Sequence, residues 1–390
     1  MKGIRDRVAV AGVGASRFGE HWERDQYELL VEAAYEAMDD AGVALDDIEA
    51  AWVGVNYPFT GPSGTTVADA LRLYGRPITR VENYCASGMD AFRNACFAVA
   101  AGVYDIVLAC GVEKITDQGS TGLPTMGRAD PVLERPSAPG LFALAASRSF
   151  DAWGWDERDI AEVAVKNHAN GVHHPKAHFR REITVEDAMS APEIASPLRR
   201  LDCAAVSDGA AAVVVTRPEL ARELAQASGN HVVLVKSNQL SVHTGHPHFQ
   251  PGFDYLGFPA TRQAARQAYA EAGIERPAQE LDIVECHDCF TITELLNTQD
   301  LGLCERGDAA RFVRDGHTQV GGTIPVNPSG GLKCFGHPIG ATGCRMIYEV
   351  TRQVQGRAHG LQVEGARTGL AHNLGGPGAV ASVTILGREE

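Results

Sequence analysis

Four short stretches of this 390-residue chain carry side chains able to do chemistry. In VENYCASGMDAFRNACFAVAAG, Cys85 falls between an apolar strand ending near residue 82 and a helix starting close to Ser87, with apolar positions 89, 92, 96, 97 and 99. A thiol at that junction meets the free N–H groups and positive dipole end of the helix, which favour thiolate and make a nucleophile. The plain alternative is a buried structural cysteine, the role expected of Cys96 and Cys110. In NPSGGLKCFGHPIGATG, residues 327–343, glycines let the backbone pass close to a ligand and Pro338 fixes the chain just after His337. An imidazole held on such a turn, ahead of a helix from about Cys344 to Gln355, suits a base for a cysteine nucleophile. In ECHDCFTITE, residues 285–294, a strand end turns into a helix. Cys286 and Cys289 form a CxxC compatible with a redox pair or half a zinc site, but no second CxxC follows, which favours catalytic use of His287 and Cys289 and no metal. In AHNLGGPGAV, residues 371–380, Gly375 and Gly376 can present backbone N–H groups to an oxyanion.

The elements that must position these groups read as α/β. Val8 to Val13 fits a buried strand, and Tyr27 to Ala41 shows helical apolar spacing that stops at Gly42. Ala33 to Val55, AAYEAMDDAGVALDDIEAAWVGV, is similar to Ala264 to Val284, AARQAYAEAGIERPAQELDIV: an Ala-rich helix, Ala-Gly-Val or Ala-Gly-Ile, a polar linker and an apolar strand. The spacing is too long for a solenoid, so it indicates two similar α/β halves. Between them, residues 117–248 are rich in Gly, Pro, Arg and His, including STGLPTMGRADPVLERPSAPG, and read as binding loops. Leu201 to Thr216 returns to a buried strand of the first half. The expected division is therefore 1–116 with 200–248 as the first half, 117–199 as an inserted loop domain, and 249–390 as the second half.

Composition narrows the class. With 35 Lys+Arg against 49 Asp+Glu, a net charge of −14 and 44% hydrophobic residues, the chain reads as globular and not as a generic electrostatic binder of nucleic acid or membrane surfaces. No run of 18 apolar residues exists, and MKGIRDRVAVAGVG passes into a strand pattern without a signal peptide, so no membrane span and a cytoplasmic location are expected. Nine irregularly spaced cysteines fit reduced thiols better than a disulfide framework.

Together the four stretches, in this order and spacing, resemble the thiolase superfamily across essentially the whole chain. HDCF at 287–290, NPSGGLK at 327–333, GHPIGATG at 336–343 and KNHANG with HPKAHF at 166–179 look like sterol-carrier-protein-2 type thiolases. The resemblance implies a five-layered αβαβα fold of two similar halves and an acyl-CoA C-acyltransferase. It implies Cys85 as nucleophile, His337 as its base, His287 lining the site near the thioester oxygen, and Gly375 as the amide that joins that of Cys85 in an oxyanion hole. Asn373 stands where biosynthetic thiolases carry a second catalytic cysteine; Asn is no acid or base, so the relay role is expected of Cys289. Also implied are acyl-CoA and CoA as substrates with no permanently bound cofactor, and a homodimer or dimer of dimers. Two alternatives stand beside this reading. One is a thiolase-like retro-aldolase subunit needing a small OB-fold and zinc-ribbon partner, whose relatives tend to lose the Cys and His set kept here. The other is a CoA-binding assembly subunit that channels product to a synthase. The chain ends at Glu390, so the lipid-transfer domain of some relatives is not expected. His243, His246 and His248, and Cys334 with Phe335, depart from the usual small residues and imply a changed acyl or CoA tunnel.

Overall fold

The computed structural model describes residues 3–56, 63–118, 137–247 and 250–389. Most of the Gly/Pro stretch 120–140 and His248 lie outside the described residues. The first part of the chain forms β1 (Ala9–Ala15), α1 (Gln26–Ala41), β2 (Ala50–Gly54), α2 (Gly64–Leu71), β3 (Ile78–Val81), α3 (Ser87–Ala100) and β4 (Ile106–Glu113). The middle forms α4 (Ala138–Trp153), α5 (Glu157–Gly171), α6 (Val185–Ser190), β5 (Glu193–Ala195), β6 (Leu198–Arg199), β7 (Gly209–Thr216) and α7 (Pro218–Ser228). The remainder forms β8 (Val233–Val242), α8 (Pro259–Ala272), α9 (Pro277–Glu280), β9 (Ile283–Cys286), α10 (Thr291–Asp300), α11 (Ala309–Arg314), α12 (Gly331–Phe335), α13 (Thr342–Val354), β10 (Thr368–Gly375) and β11 (Val380–Arg388).

The repeat read in the sequence is structural. Helices α1 and α8 both end at a glycine in the left-handed region, Gly42 (φ 70°) and Gly273 (φ 75°), which close the last turn at no Cβ cost. Asp25 and Glu28 form a capping box at the start of α1. The nine-stranded sheet has the order β3-β2-β4-β7-β1-β8-β11-β10-β9. Counting outward from the centre, each side runs antiparallel, antiparallel, then parallel: β1-β7-β4-β2 and β8-β11-β10-β9. A parallel bridge from Val284 to Val326 stands where β3 stands on the other side. β8 falls in the 200–248 stretch assigned to the first half, yet it pairs along β11 from Val380 to Arg388 and meets β1 at only two positions.

The layers follow from which faces are apolar. α1 covers β1, β4 and β7 on the outside, and α8 covers β8 and β11. α3 and α13 pack on each other between the two half-sheets, α13 touching β9, β10 and β11 as well as β1, β4 and β7. That is the five-layered αβαβα arrangement. β7 is buried at every residue, the continuous apolar pattern of a strand covered on both faces.

The middle segment differs from the loop-like reading of 117–199: it contains three helices. α4 starts at a Ser137 cap and α5 at an Asp156 capping box. α5 buries Ile160, Ala161, Val163 and Ala164 in its first turns, but its later turns bury Lys166, Asn167, His168 and Asn170, so the apolar stripe is short and gives way to a polar inward face.

Candidate active site

Cys85 sits on the turn between β3 and α3. Tyr84 just before it has φ 51°, a left-handed conformation that few non-glycine residues adopt, and the Asn83 amide is held by Ser87 Oγ at 2.9 Å. The turn therefore presents the thiol from a constrained backbone. The loop carrying His337 reaches it by backbone-on-backbone packing. A Cβ on Gly340 would come within 2.5 Å of the Gly54 carbonyl oxygen, and one on Gly88 within 2.4 Å of the Gly340 oxygen, so only glycine permits the approach of α3 to this loop. Glu113, at the end of β4, accepts from the amides of Gly340 (2.8 Å) and Asn56 (3.1 Å).

These contacts bring together three groups far apart in sequence. The sulfur of Cys85 and one ring nitrogen each of His287 and His337 lie within 4.8 Å of one another. The two imidazoles meet edge to face, with centroids 5.1 Å apart. Their protonation follows from their partners. Thr342 Oγ1 donates to the Pro338 carbonyl at 3.0 Å, so it accepts from His337 Nδ1–H at 2.7 Å. The lone pair of His337 is thereby placed on Nε2, which is buried with no hydrogen-bond partner. His287 has the opposite tautomer: Asn373 Nδ2–H donates to His287 Nδ1 at 2.9 Å, leaving the proton on Nε2. One histidine offers an acceptor and the other a donor.

Burial holds these groups neutral. It pushes the Cys85 thiol up to about 12, with the Gly376 N–H opposing and the Glu113 carboxylate adding to the rise. This differs from the thiolate expected of a helix N-terminus: Cys85 precedes the helix by two residues, and desolvation is the largest influence. His337 is pushed down to about 3, first by burial and then by the Arg345 guanidinium, and His287 is lowered by burial and by His337. Of the two glycines named for the oxyanion, Gly376 is the one whose N–H acts on the sulfur. Gly375, the last residue of β10, packs against the same turn: a Cβ there would lie 2.7 Å from the Asn83 carbonyl oxygen.

Cys289 is buried, 4.0 Å from Thr293 Oγ1, and its thiol is raised by burial and then by the nearby Cys85. Cys286, the last residue of β9, feels the charges of Glu294 and Asp288, and both cysteines of the CxxC are free thiols. Cys289 also lies on the wall of a cavity of about 970 Å³ lined by Phe179, Ile183, Val206, Phe290 and Lys333 among others.

Behind the site is a buried polar network that sequence reading missed as a unit. Lys166 Nζ pairs with Glu294 at 2.6 Å and donates to the Val326 carbonyl at 2.8 Å. Asn167 Nδ2 donates to Asp288 and Glu294, each at 2.8 Å, and Asn327 Nδ2 donates to Glu294 at 2.7 Å. Asp288 accepts from the Leu332 amide at 2.6 Å, and Glu285 pairs with Arg345 at 2.7 Å. The KNHANG helix thus locks the HDCF and NPSGGLK segments together. The signal was present as polar residues at helical spacing on α5, but only their partners show which way they face. Thr342, Glu113 and Arg345 gave no signal of their own.

A family model described as thiolase, N-terminal domain matches residues 8–219, and one described as thiolase C-terminal domain-like matches residues 241–388. The chain belongs to the thiolase family. It is 40% identical to an acetyl-CoA acetyltransferase of Methanothermobacter thermautotrophicus, over 99% of this chain and 100% of that one. Human sterol carrier protein 2 is 32% identical over 96% of this chain and 71% of its own length. Among solved structures, the Ltp2-ChsH2(DUF35) aldolase superposes with a TM-score of 0.86 over 99% of both chains at 26% identity. This thiolase is an acyltransferase, and CoA is a substrate.

Proposed function

We propose that the chain cleaves a 3-oxoacyl-CoA with CoA, and in reverse joins two acyl groups by Claisen condensation, through an acyl-enzyme on Cys85. The observation that carries this reading is the Cys85, His287 and His337 cluster within 4.8 Å. His337 Nε2, the free lone pair, takes the Cys85 proton as the sulfur attacks the 3-oxo carbon. The oxyanion meets backbone N–H groups, with Gly376 already against the sulfur and Gly375 packing the turn. The C2–C3 bond breaks; the enolate oxygen is held by His287 Nε2–H, and its carbon takes a proton from the Cys289 thiol. Acetyl-CoA leaves; free CoA then gives its thiol proton to the Cys289 thiolate and attacks the Cys85 thioester, and the departing Cys85 thiolate takes back the proton held on His337. A resting neutral thiol and imidazole suit this sequence, because charge develops only when substrate is present to use it.

Incubation with acetoacetyl-CoA and CoA, followed by loss of the enolate absorbance, tests the reading. Turnover with the unaltered chain and none with Cys85→Ala, together with an acetyl-sized mass increase on the Cys85 peptide, is expected. The likeness to an aldolase structure supports a second reading, retro-aldol cleavage with a partner chain of OB-fold and zinc-ribbon type. Release of an aldehyde or ketone from a 3-hydroxyacyl-CoA, insensitive to Cys85→Ala, would replace the first reading with that one.

We also propose a homodimer, or a pair of dimers, in a reducing compartment such as the cytoplasm. The open outer edge of β3 at the end of the sheet supports the first, since an unpaired strand edge is a template for a second chain. Nine free cysteines support the second. No described helix is long and apolar enough to cross a membrane.

A further inference from the structure

We propose that the cavity beside Cys289 holds an anion-binding site, built on Lys333, for a carboxylate at the far end of the acyl chain. Lys333 is 1% exposed, on α12, and lines that cavity. Its Nζ stands 3.3 Å from His168 Nε2. His168 Nδ1 lies 2.8 Å from the Arg181 carbonyl, which can only accept, so Nδ1 carries the ring proton and Nε2 takes one ammonium proton. The Phe179 ring covers another side, with its centroid 5.6 Å from Nζ. Among the described residues no carboxylate pairs with Lys333.

The two other lysines this deeply buried are paired, Lys114 with Asp208 at 3.0 Å and Lys166 with Glu294 at 2.6 Å. The acids near Lys333 are committed elsewhere. Asp202 accepts from the Arg199 amide at 2.8 Å and from Thr291 Oγ1 at 3.0 Å. Asp288 accepts from Asn167 and from the amides of Leu332 and Lys333 itself. A buried ammonium whose hydrogen-bond partner is a neutral imidazole has no carboxylate in contact with it among the described residues, Asp202 acting only from a distance, and burial so weakly compensated is costly. A ligand carboxylate supplies that contact.

Position selects the source of that carboxylate. The cavity wall joins Lys333 to Cys289, and the Cys289 thiol is close enough to Cys85 to be raised by it. An acyl group on Cys85 running past Cys289 enters this cavity with its methylenes against Phe179, Ile183 and Phe290 and its end against Lys333. The phosphates of CoA lie at the other end of the thioester from the acyl tail. This inference rests on the acyl-transfer reading above for the direction in which the chain runs.

The test compares two six-carbon substrates, 3-oxoadipyl-CoA with a terminal carboxylate and 3-oxohexanoyl-CoA without one. The unaltered enzyme is expected to favour the carboxylated substrate by about tenfold or more in kcat/KM, the effect of one charge-assisted pair. In Lys333→Met that ratio is expected to fall to about one or below. A wild-type preference for the uncharged substrate overturns the proposal. So does a Lys333→Met enzyme that loses both activities in equal proportion, which would place the ammonium on the CoA phosphates or in the framework. If Lys333→Met does not fold, the wild-type ratio decides alone. If neither substrate is cleaved, acyl transfer itself fails, and titration of Cys85→Ala with succinyl-CoA and butyryl-CoA in a calorimeter still judges the anion site. Tighter binding of succinyl-CoA supports it, and equal or weaker binding overturns it.

Discussion

Cys85 and His337 rest as thiol and imidazole because desolvation opposes charge on both, the half-buried thiol raised to about 12 and the fully buried ring lowered to about 3. A pre-formed thiolate–imidazolium pair would react with iodoacetamide at a rate that levels off near neutral pH. A raised thiol does not: below its pKa the thiolate fraction grows tenfold per pH unit. Alkylation of free enzyme at Cys85 is therefore expected to rise by about tenfold per unit from pH 6 to 9 without a plateau; a plateau below pH 8 would show the ion pair. In the proposed reaction Asn373 acts through its hydrogen bond to His287. Asn373→Ala removes the N–H that selects the Nδ1 acceptor form, and kcat should fall by about tenfold or more while KM for CoA stays near its original value. Asn373→Asp should be worse, by about a hundredfold, because an accepting carboxylate draws the ring proton to Nδ1 and turns Nε2 from donor to acceptor. Equal kcat for the two variants would sever this link.

At the scale of elements, α5 and the glycine loop before α13 carry the site. Lys166→Met leaves Glu294 fully buried and without its cation. That should destabilise the fold by about 3–5 kcal/mol, seen as a lower urea midpoint. Gly340→Ala places a methyl 2.5 Å from the Gly54 oxygen and 2.9 Å from that of Val112, both backbone atoms that cannot turn aside. The loop must retreat, taking His337 away from Cys85. Activity should drop by about a hundredfold or more, given how steeply catalysis depends on position, with a smaller change in melting temperature.

For the whole molecule, one apolar core includes Val13, Val107 and Val213 from the first half and Val284, Leu370 and Val383 from the second. Among the described residues β1 and β8 pair at two positions, so much of the contact between the half-sheets runs through α3 and α13. We propose that the halves divide before β8, not after it, and that they nevertheless melt as one unit. Met346 of α13 is fully buried in that shared core. Met346→Ala should cost about 2–5 kcal/mol and move a single calorimetric transition downward. Two separated transitions would show independent halves.

Local chemistry made much of this legible in the residues alone. Gly42 and Gly273 announced the ends of paired helices, the apolar runs announced buried strands, and Cys85, His287, His337 and Cys289 each stood at a strand-to-helix turn where function concentrates. Those signals are local, set by φ, by periodicity and by residue type, and a linear chain carries them. It does not carry the partner of a polar group. That α5 turns lysine and asparagine inward, that Asn373 gives its N–H to His287, that Gly376 reaches the sulfur, and that burial opposes the helix dipole at Cys85 depend on residues up to about three hundred positions away. Only the packed tertiary structure decides them, because desolvation and hydrogen-bond direction arise from what surrounds a group in space.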